Sequence, residues 1–156
     1  MATSIQQRMM GRVTGEFVVF LIGMRVNRWW KVHQWMRSSA AMSRMMRELS
    51  AKPELGLLGA EAWFGRTTIM VQYWRSMDAL LDYAKNRDAE HLPAWRAFNK
   101  LVGTNGDVGI WHETYRVRPG DYEGVYVNMA PFGMGRAGQL VPAHARAVER
   151  LQASQP

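Results

Sequence analysis

Hydrophobic and polar positions change period several times along this chain. Residues 15–26, GEFVVFLIGMRV, are almost continuously apolar and rich in β-branched and aromatic side chains, which predicts a central strand. Residues 27–50, NRWWKVHQWMRSSAAMSRMMRELS, switch to helical spacing. Val32, Trp35, Met36, Met42, Met46 and Leu49 form an apolar stripe, while Arg28, Lys31, Arg44 and Arg47 supply a polar face. Pro53 follows, where a helix commonly stops.

Residues 55–65 read as a glycine-broken strand and residues 67–74 as a second strand, with a two-residue hairpin link at Gly65-Arg66. Ser76 is placed to cap a second helix, with Asp78 in its first turn complementing the helix dipole. That helix runs through MDALLDYAKN, breaks near Pro93 and resumes in AWRAFNKLVG up to Gly103. GDVGIWHETYRV, residues 106–117, is the next strand. A turn at Pro119-Gly120, a short strand GVYVNM, a glycine-rich loop and a short polar helix near residues 143–153 follow.

The element order is thus β-α-β-β-α-β, the α+β ferredoxin-like arrangement, with an extra strand and terminal extensions. The expected boundaries are a loose or partly helical arm at 1–14, the α+β domain at 15–136, and a C-terminal helix and tail at 137–156. Two helices cover only one face of such a sheet. The other face is apolar enough to need cover, and pairing of two copies into a homodimer is the expected solution.

Composition narrows the function classes. The chain has 156 residues, 47% of them hydrophobic, enough for one domain with a substantial core. It has no cysteine, so disulfides and thiolate chemistry are excluded. The net charge of +7 comes from singly scattered Arg and Lys with no nucleic-acid-binding signature, so no nucleic-acid partner is expected. The first residues lack the apolar stretch of a secretory signal, and FVVFLIGM is too short to span a bilayer; the expected location is the cytoplasm. Twelve Met and seven Trp suggest an apolar ligand cavity, a large interface or simply a Met-rich core.

The four histidines are His33, His91, His112 and His144, with no metal-ligand spacing among them, so no protein-ligated metal is expected. On its strand His112 shares a face with Val108, Ile110 and Thr114, whereas Trp111, Glu113 and Tyr115 share the other. If the first face meets the helices, His112 enters the space between sheet and helix, either as a general base or as a hydrogen-bonded core histidine. Glu113 then faces the opposite surface, where it is expected to pair with an arginine at the dimer contact. His91 sits at the helix break, as a haem-iron ligand or as a surface residue beside Glu90.

Several stretches in order, FVVFLIGMRVNRWWKVHQW, MVQYWRS, AEHLPAWRAFN, GDVGIWHETY and YEGVYVNMAPFGMG, resemble the monooxygenase af470-like family (DUF4188) over residues 17–135. That family is similar to the antibiotic-biosynthesis monooxygenases. The resemblance implies a dimeric α+β barrel with a pocket between sheet and helices. It also implies oxidation of a hydrophobic small molecule by O₂, with no cofactor or with haem. On this reading the catalytic candidates are His112, His91, Arg96 and Tyr115. Tyr73, Trp74, Trp95, Trp111 and Asn128 are candidates to hold the substrate. The alternatives are a haem protein with His91 as axial ligand, and a non-enzymatic binder of an apolar ligand or a membrane surface through Trp29, Trp30 and Trp35.

Overall fold

A computed structural model describes residues 4–86, Arg96, Gly103 and residues 105–143. Its strands are β1 (Met9–Arg12), β2 (Phe17–Val26), β3 (Leu57–Trp63), β4 (Ile69–Trp74), β5 (Val108–Val117), β6 (Val125–Tyr126) and β7 (Gln139–Pro142). The described helices include α1 (Val32–Ala51) and α2 (Met77–Lys85), with a short 3₁₀ turn at Pro53–Leu55 and a helical turn at Met134–Ala137.

The main sheet has the order β3-β4-β2-β5, antiparallel throughout. With α1 between β2 and β3 and α2 between β4 and β5, this is the ferredoxin-like βαββαβ topology expected from the sequence. The local signals explain the elements. Ser76 caps α2 by accepting from the Ala79 amide at 3.1 Å. Gly56, at φ +94°, ends the Pro53–Leu55 turn, and any β-carbon there would collide with Ala79 Cβ at 2.7 Å.

Strand alternation sorts the sheet into two faces. Val18, Phe20, Ile22 and Met24 of β2 lie level with Trp74, Gln72 and Met70 of β4 and with Arg116, Thr114, His112 and Ile110 of β5. This is the helix-covered face. Its core, Val18, Leu49, Trp74, Leu80 and Tyr83, sits at the Val18–Trp74 end. Each such buried apolar side chain contributes roughly 1.5–3 kcal/mol.

The second face is partly covered by the chain itself. β6, β1 and β7 form a separate small sheet. Val13, Phe17 and Met134 pack there against Val19, Leu58, Tyr73, Val117 and Tyr122. Tyr122 ties this layer down: its hydroxyl accepts from the Val13 amide and donates to the Val13 carbonyl, both at 2.9 Å.

Three expectations are corrected. Residues 9–12 of the N-terminal arm form β1, because β6 and β7 offer backbone partners on both its sides. The first helix begins at Val32 rather than Asn27, because residues 27–31 are held in a loop by contacts to Asp107. The hairpin link spans 64–68, not two residues, and Thr67 within it forms an isolated bridge to Arg25 of β2. The expected short strand GVYVNM narrows to β6 and joins the small sheet. The expected C-terminal helix lies outside the described residues.

Candidate functional site

Among the described residues, the helix-facing side of the main sheet is closed at one end only. Near Val18 and Trp74 it is filled by Leu49, Leu80 and Tyr83. Toward the other end Ile22, Met24 and Met70 are only half-buried, and Ile110, His112 and Thr114 on the edge strand β5 are exposed. Buried Gln72 lies between these regions. Its amide accepts from Trp74 Nε1 at 2.9 Å and points its nitrogen at the sulfurs of Met70 and Met46, 3.3 and 3.6 Å away.

At the open end an apolar cleft of about 680 Å³ is lined by Val26, Asn27, Trp29, Trp30, Trp35, Gly65 and Arg66. Val26, Met24 and Ile22 continue from it along one face of β2 to the row that holds His112. The cleft is built by an ionic anchor. The Asp107 carboxylate, inaccessible to solvent, meets Arg28 at 2.8 Å and Lys31 at 2.6 Å. Its carbonyl accepts from the amides of Asn27 and Arg28. The hydrogen bond from Lys31, and then the charges of Lys31 and Arg28, hold the Asp107 carboxyl below the usual carboxylate range against the opposing effect of desolvation. Trp35 completes the wall by donating its indole N–H to the Trp29 carbonyl at 3.1 Å.

A second cleft, of about 270 Å³, lies between residues 12–17 and 137–139 and borders none of the candidate residues.

The predicted site residues divide between the two faces. His112 stands on the helix-facing side, in register with Ile22, with its ring 5.7 Å from that of Phe20. Trp74 shares this face, but it is a core residue, 1% exposed. Tyr73, Trp111 and Tyr115 lie on the opposite side. Tyr115 donates a short hydrogen bond to Glu113, which is the first cause of its raised pKa. Glu113 thus takes its contact within the chain from a tyrosine. Tyr73 is raised chiefly by burial, then by Tyr126. Trp111 has a buried indole N–H with no acceptor among the described residues. Asn128 is exposed in the left-handed region at φ 55°. Arg96 is helical and exposed. His91 and Trp95 lie outside the described residues.

Among the described residues no group of three or more His, Asp or Glu is placed to hold a metal ion. His112 stands on an exposed edge beside Phe20 and borders neither cleft, and His91, the histidine expected as a haem ligand, is among the residues not described. The sequence pattern missed Asn27, Arg66 and Asp107 as parts of one site. Arg66 sits in a turn and Asp107 before a strand, and nothing local ties either to Trp29.

The family described as Monooxygenase af470-like matches residues 17–134. Monooxygenase af470 of Aspergillus fumigatus is 30% identical over 131 residues, which cover 78% of this chain and 46% of that protein. The chain therefore spans about half the length of that relative. Two solved structures are similar at low identity. SnoaB, a cofactor-independent oxygenase from Streptomyces nogalater, has 15% identity and a TM-score of 0.48, covering 66% of this chain and 94% of its own. A conserved protein of unknown function from Bacteroides thetaiotaomicron, described as a possible oxidoreductase, has 10% identity and a TM-score of 0.45, covering 67% and 100%. With the family match running from the first strand of the main sheet to the helical turn beyond β6, this chain belongs to the monooxygenase af470-like family.

Proposed function

We propose that this chain is an oxygen-using monooxygenase acting on a hydrophobic small molecule. The substrate enters through the tryptophan cleft and lies along the open end of the helix-facing sheet. One observation supports the reading: Val26, which lines the apolar cleft, shares one face of β2 with Met24 and Ile22, and Ile22 is the register partner of His112. Pockets of this kind pair an apolar lining with a few polar groups that set orientation. Imidazole is the side chain most often used as a general base.

In the proposed reaction His112 takes a proton from an activated CH₂ group of an enolisable substrate, such as the keto tautomer of a phenol. The resulting carbanion gives up electrons to O₂. One oxygen atom ends in a new carbonyl at the deprotonated carbon. The other leaves as water with the two hydrogens of the original CH₂ group, so O₂ supplies the whole oxidising equivalent. The reaction written this way balances without haem.

A homodimer belongs to this reading. Leu21, Val71 and Trp111 are half-buried on the face away from the helices, where Tyr115 is also exposed, and the small sheet covers only the Phe17 end. A second copy laid across them supplies the missing cover.

Oxygen uptake with a panel of hydroxylated polycyclic compounds tests the chemistry. At least one compound should be oxidised, and His112→Ala should lower its kcat/KM by about 10²–10⁴-fold. Wild-type rates in His112→Ala for every accepted compound would remove His112 from the mechanism.

A further inference from the structure

The open end of the molecule exposes more aromatic surface than a closed fold needs. Trp29 is 74% exposed, Trp30 60% and Phe64 86%. The first two stand on the β2–α1 loop and the third at the tip of the β3–β4 hairpin. Val32 and Met36, also exposed, extend the patch along the start of α1.

The two segments form one surface. The Val26 amide donates to the Arg66 carbonyl at 2.8 Å, and Arg25 Nη1 donates to Thr67 Oγ1 at 3.0 Å. Gly65 and Arg66 line the same cleft as Trp29 and Trp30.

The side-chain charge within these two segments has one sign. Residues 25–37 and 64–68 contain Arg25, Arg28, Lys31, Arg37 and Arg66 and no Asp or Glu. The neighbouring carboxylate, Asp107, is buried and holds both Arg28 and Lys31, so even that cluster keeps a net positive charge. Projecting indoles beside guanidinium groups match the interface of a bilayer. There the rings sit at headgroup level and cations meet lipid phosphates. Among the described residues no helix is long and apolar enough to cross a membrane, so the contact would be with its surface.

We infer that the Trp29–Trp30 loop and the Phe64 hairpin tip dock this chain onto an anionic bilayer surface, with the mouth of the cleft facing the lipid. The inference rests on the reading of that cleft as the substrate entrance. It gives an apolar substrate a route from the bilayer into the cleft without passage through bulk water. Its occupant is the lipid headgroup layer, because the aromatics project from loop tips with cations around them. The flat sheet face around Val71 and Trp111, lying elsewhere, suits a second copy better.

The test is co-sedimentation of the purified chain with vesicles of phosphatidylcholine alone and of equimolar phosphatidylcholine and phosphatidylglycerol, at low and high salt. Binding to the anionic vesicles is expected, weakened by salt. Trp29→Ser/Trp30→Ser/Phe64→Ser should reduce it more than about tenfold, since the apolar contact is removed. The urea midpoint of this variant should stay near the wild-type value, because the three side chains are exposed. Brominated lipid should quench the tryptophan emission of the wild-type chain and much less that of the variant. His112→Ala should bind vesicles normally, so a failed oxidation mechanism leaves this measurement standing. No binding to anionic vesicles would overturn the inference, as would binding unchanged in the triple variant. A self-association that the triple variant abolishes, without vesicle binding, would assign the patch to a second copy instead.

Discussion

Gly23 lies in the middle of β2, and its substitution by alanine is the sharpest test of how the strands meet there. A β-carbon at this position would stand 2.0 Å from the Thr68 carbonyl oxygen and 2.7 Å from the Trp111 indole nitrogen. Both are far inside ordinary van der Waals contact. The nearer obstacle is backbone, and it is fixed on both sides: the Thr68 amide donates to the Met24 carbonyl at 2.8 Å, and the Met24 amide donates to Thr68 Oγ1 at 3.0 Å. Relief therefore requires β2 and the end of the 64–68 link, just before β4, to separate. Overpacking costs about 1–3 kcal/mol and each lost hydrogen bond about 1 kcal/mol, so Gly23→Ala should destabilise by roughly 3–5 kcal/mol. For a chain of this size that lowers Tm by on the order of 10 °C. Urea unfolding followed by tryptophan emission should show a lower midpoint with an unchanged slope. Trp111→Phe removes a buried N–H that has no acceptor among the described residues and should cost little by itself. In Gly23→Ala it should restore only a minor part of the loss, because the Thr68 carbonyl is closer than the indole. A Gly23→Ala variant within about 0.5 kcal/mol of wild type, or full rescue by Trp111→Phe, would refute this packing.

Three further outcomes are expected. Ser76→Ala should cost about 1 kcal/mol in urea unfolding, through loss of the Ala79 cap, and Ser76→Asp should recover most of it. Asp107→Asn should lower stability at neutral pH. The folded-state pKa of Asp107 is depressed, so its contribution is present above the ordinary carboxylate pKa of about 4 and is lost as pH falls through the folded value. The gap between wild type and variant should therefore close in acid; a constant gap from pH 7 downward would contradict the anchor. Tyr115→Arg should shift the chain toward monomer in sedimentation velocity if a second copy covers the face bearing Leu21, Val71 and Trp111, and it should leave the helix-facing side intact.

The main sheet was legible because its signals are local. Period-two alternation put His112 with Val108 and Ile110 and set Trp111, Glu113 and Tyr115 apart, and the β5 register keeps that division. Ser76 and Asp78 announced α2 in the residues that begin it. Neither result needed knowledge of a distant residue. β1 is different. MMGR has little strand character by itself, and it becomes a strand because β7 and β6, more than 110 residues onward, supply its hydrogen-bond partners.

The cleft was illegible for the same reason, sharpened by charge. Helical spacing continues backward from Val32 through Lys31 and Arg28, so the pattern alone extends α1 to Asn27. The helix stops short because Asp107 pulls Arg28 and Lys31, 79 and 76 residues away in sequence, toward the start of β5. A buried carboxylate costs too much to leave unpaired, and two cations on one loop satisfy it. The resulting loop turns Trp29 and Trp30 outward instead of leaving them on a helix stripe. The residues read as a possible lipid-facing helix thus become the rim of a cleft that ends in Gly65 and Arg66. The ion pairs that set the helix boundary therefore also set the mouth of the site. Asp107→Asn should on this account disturb the tryptophan emission of the loop along with stability, whereas Ser76→Ala, which acts at the far end of the sheet, should change stability alone.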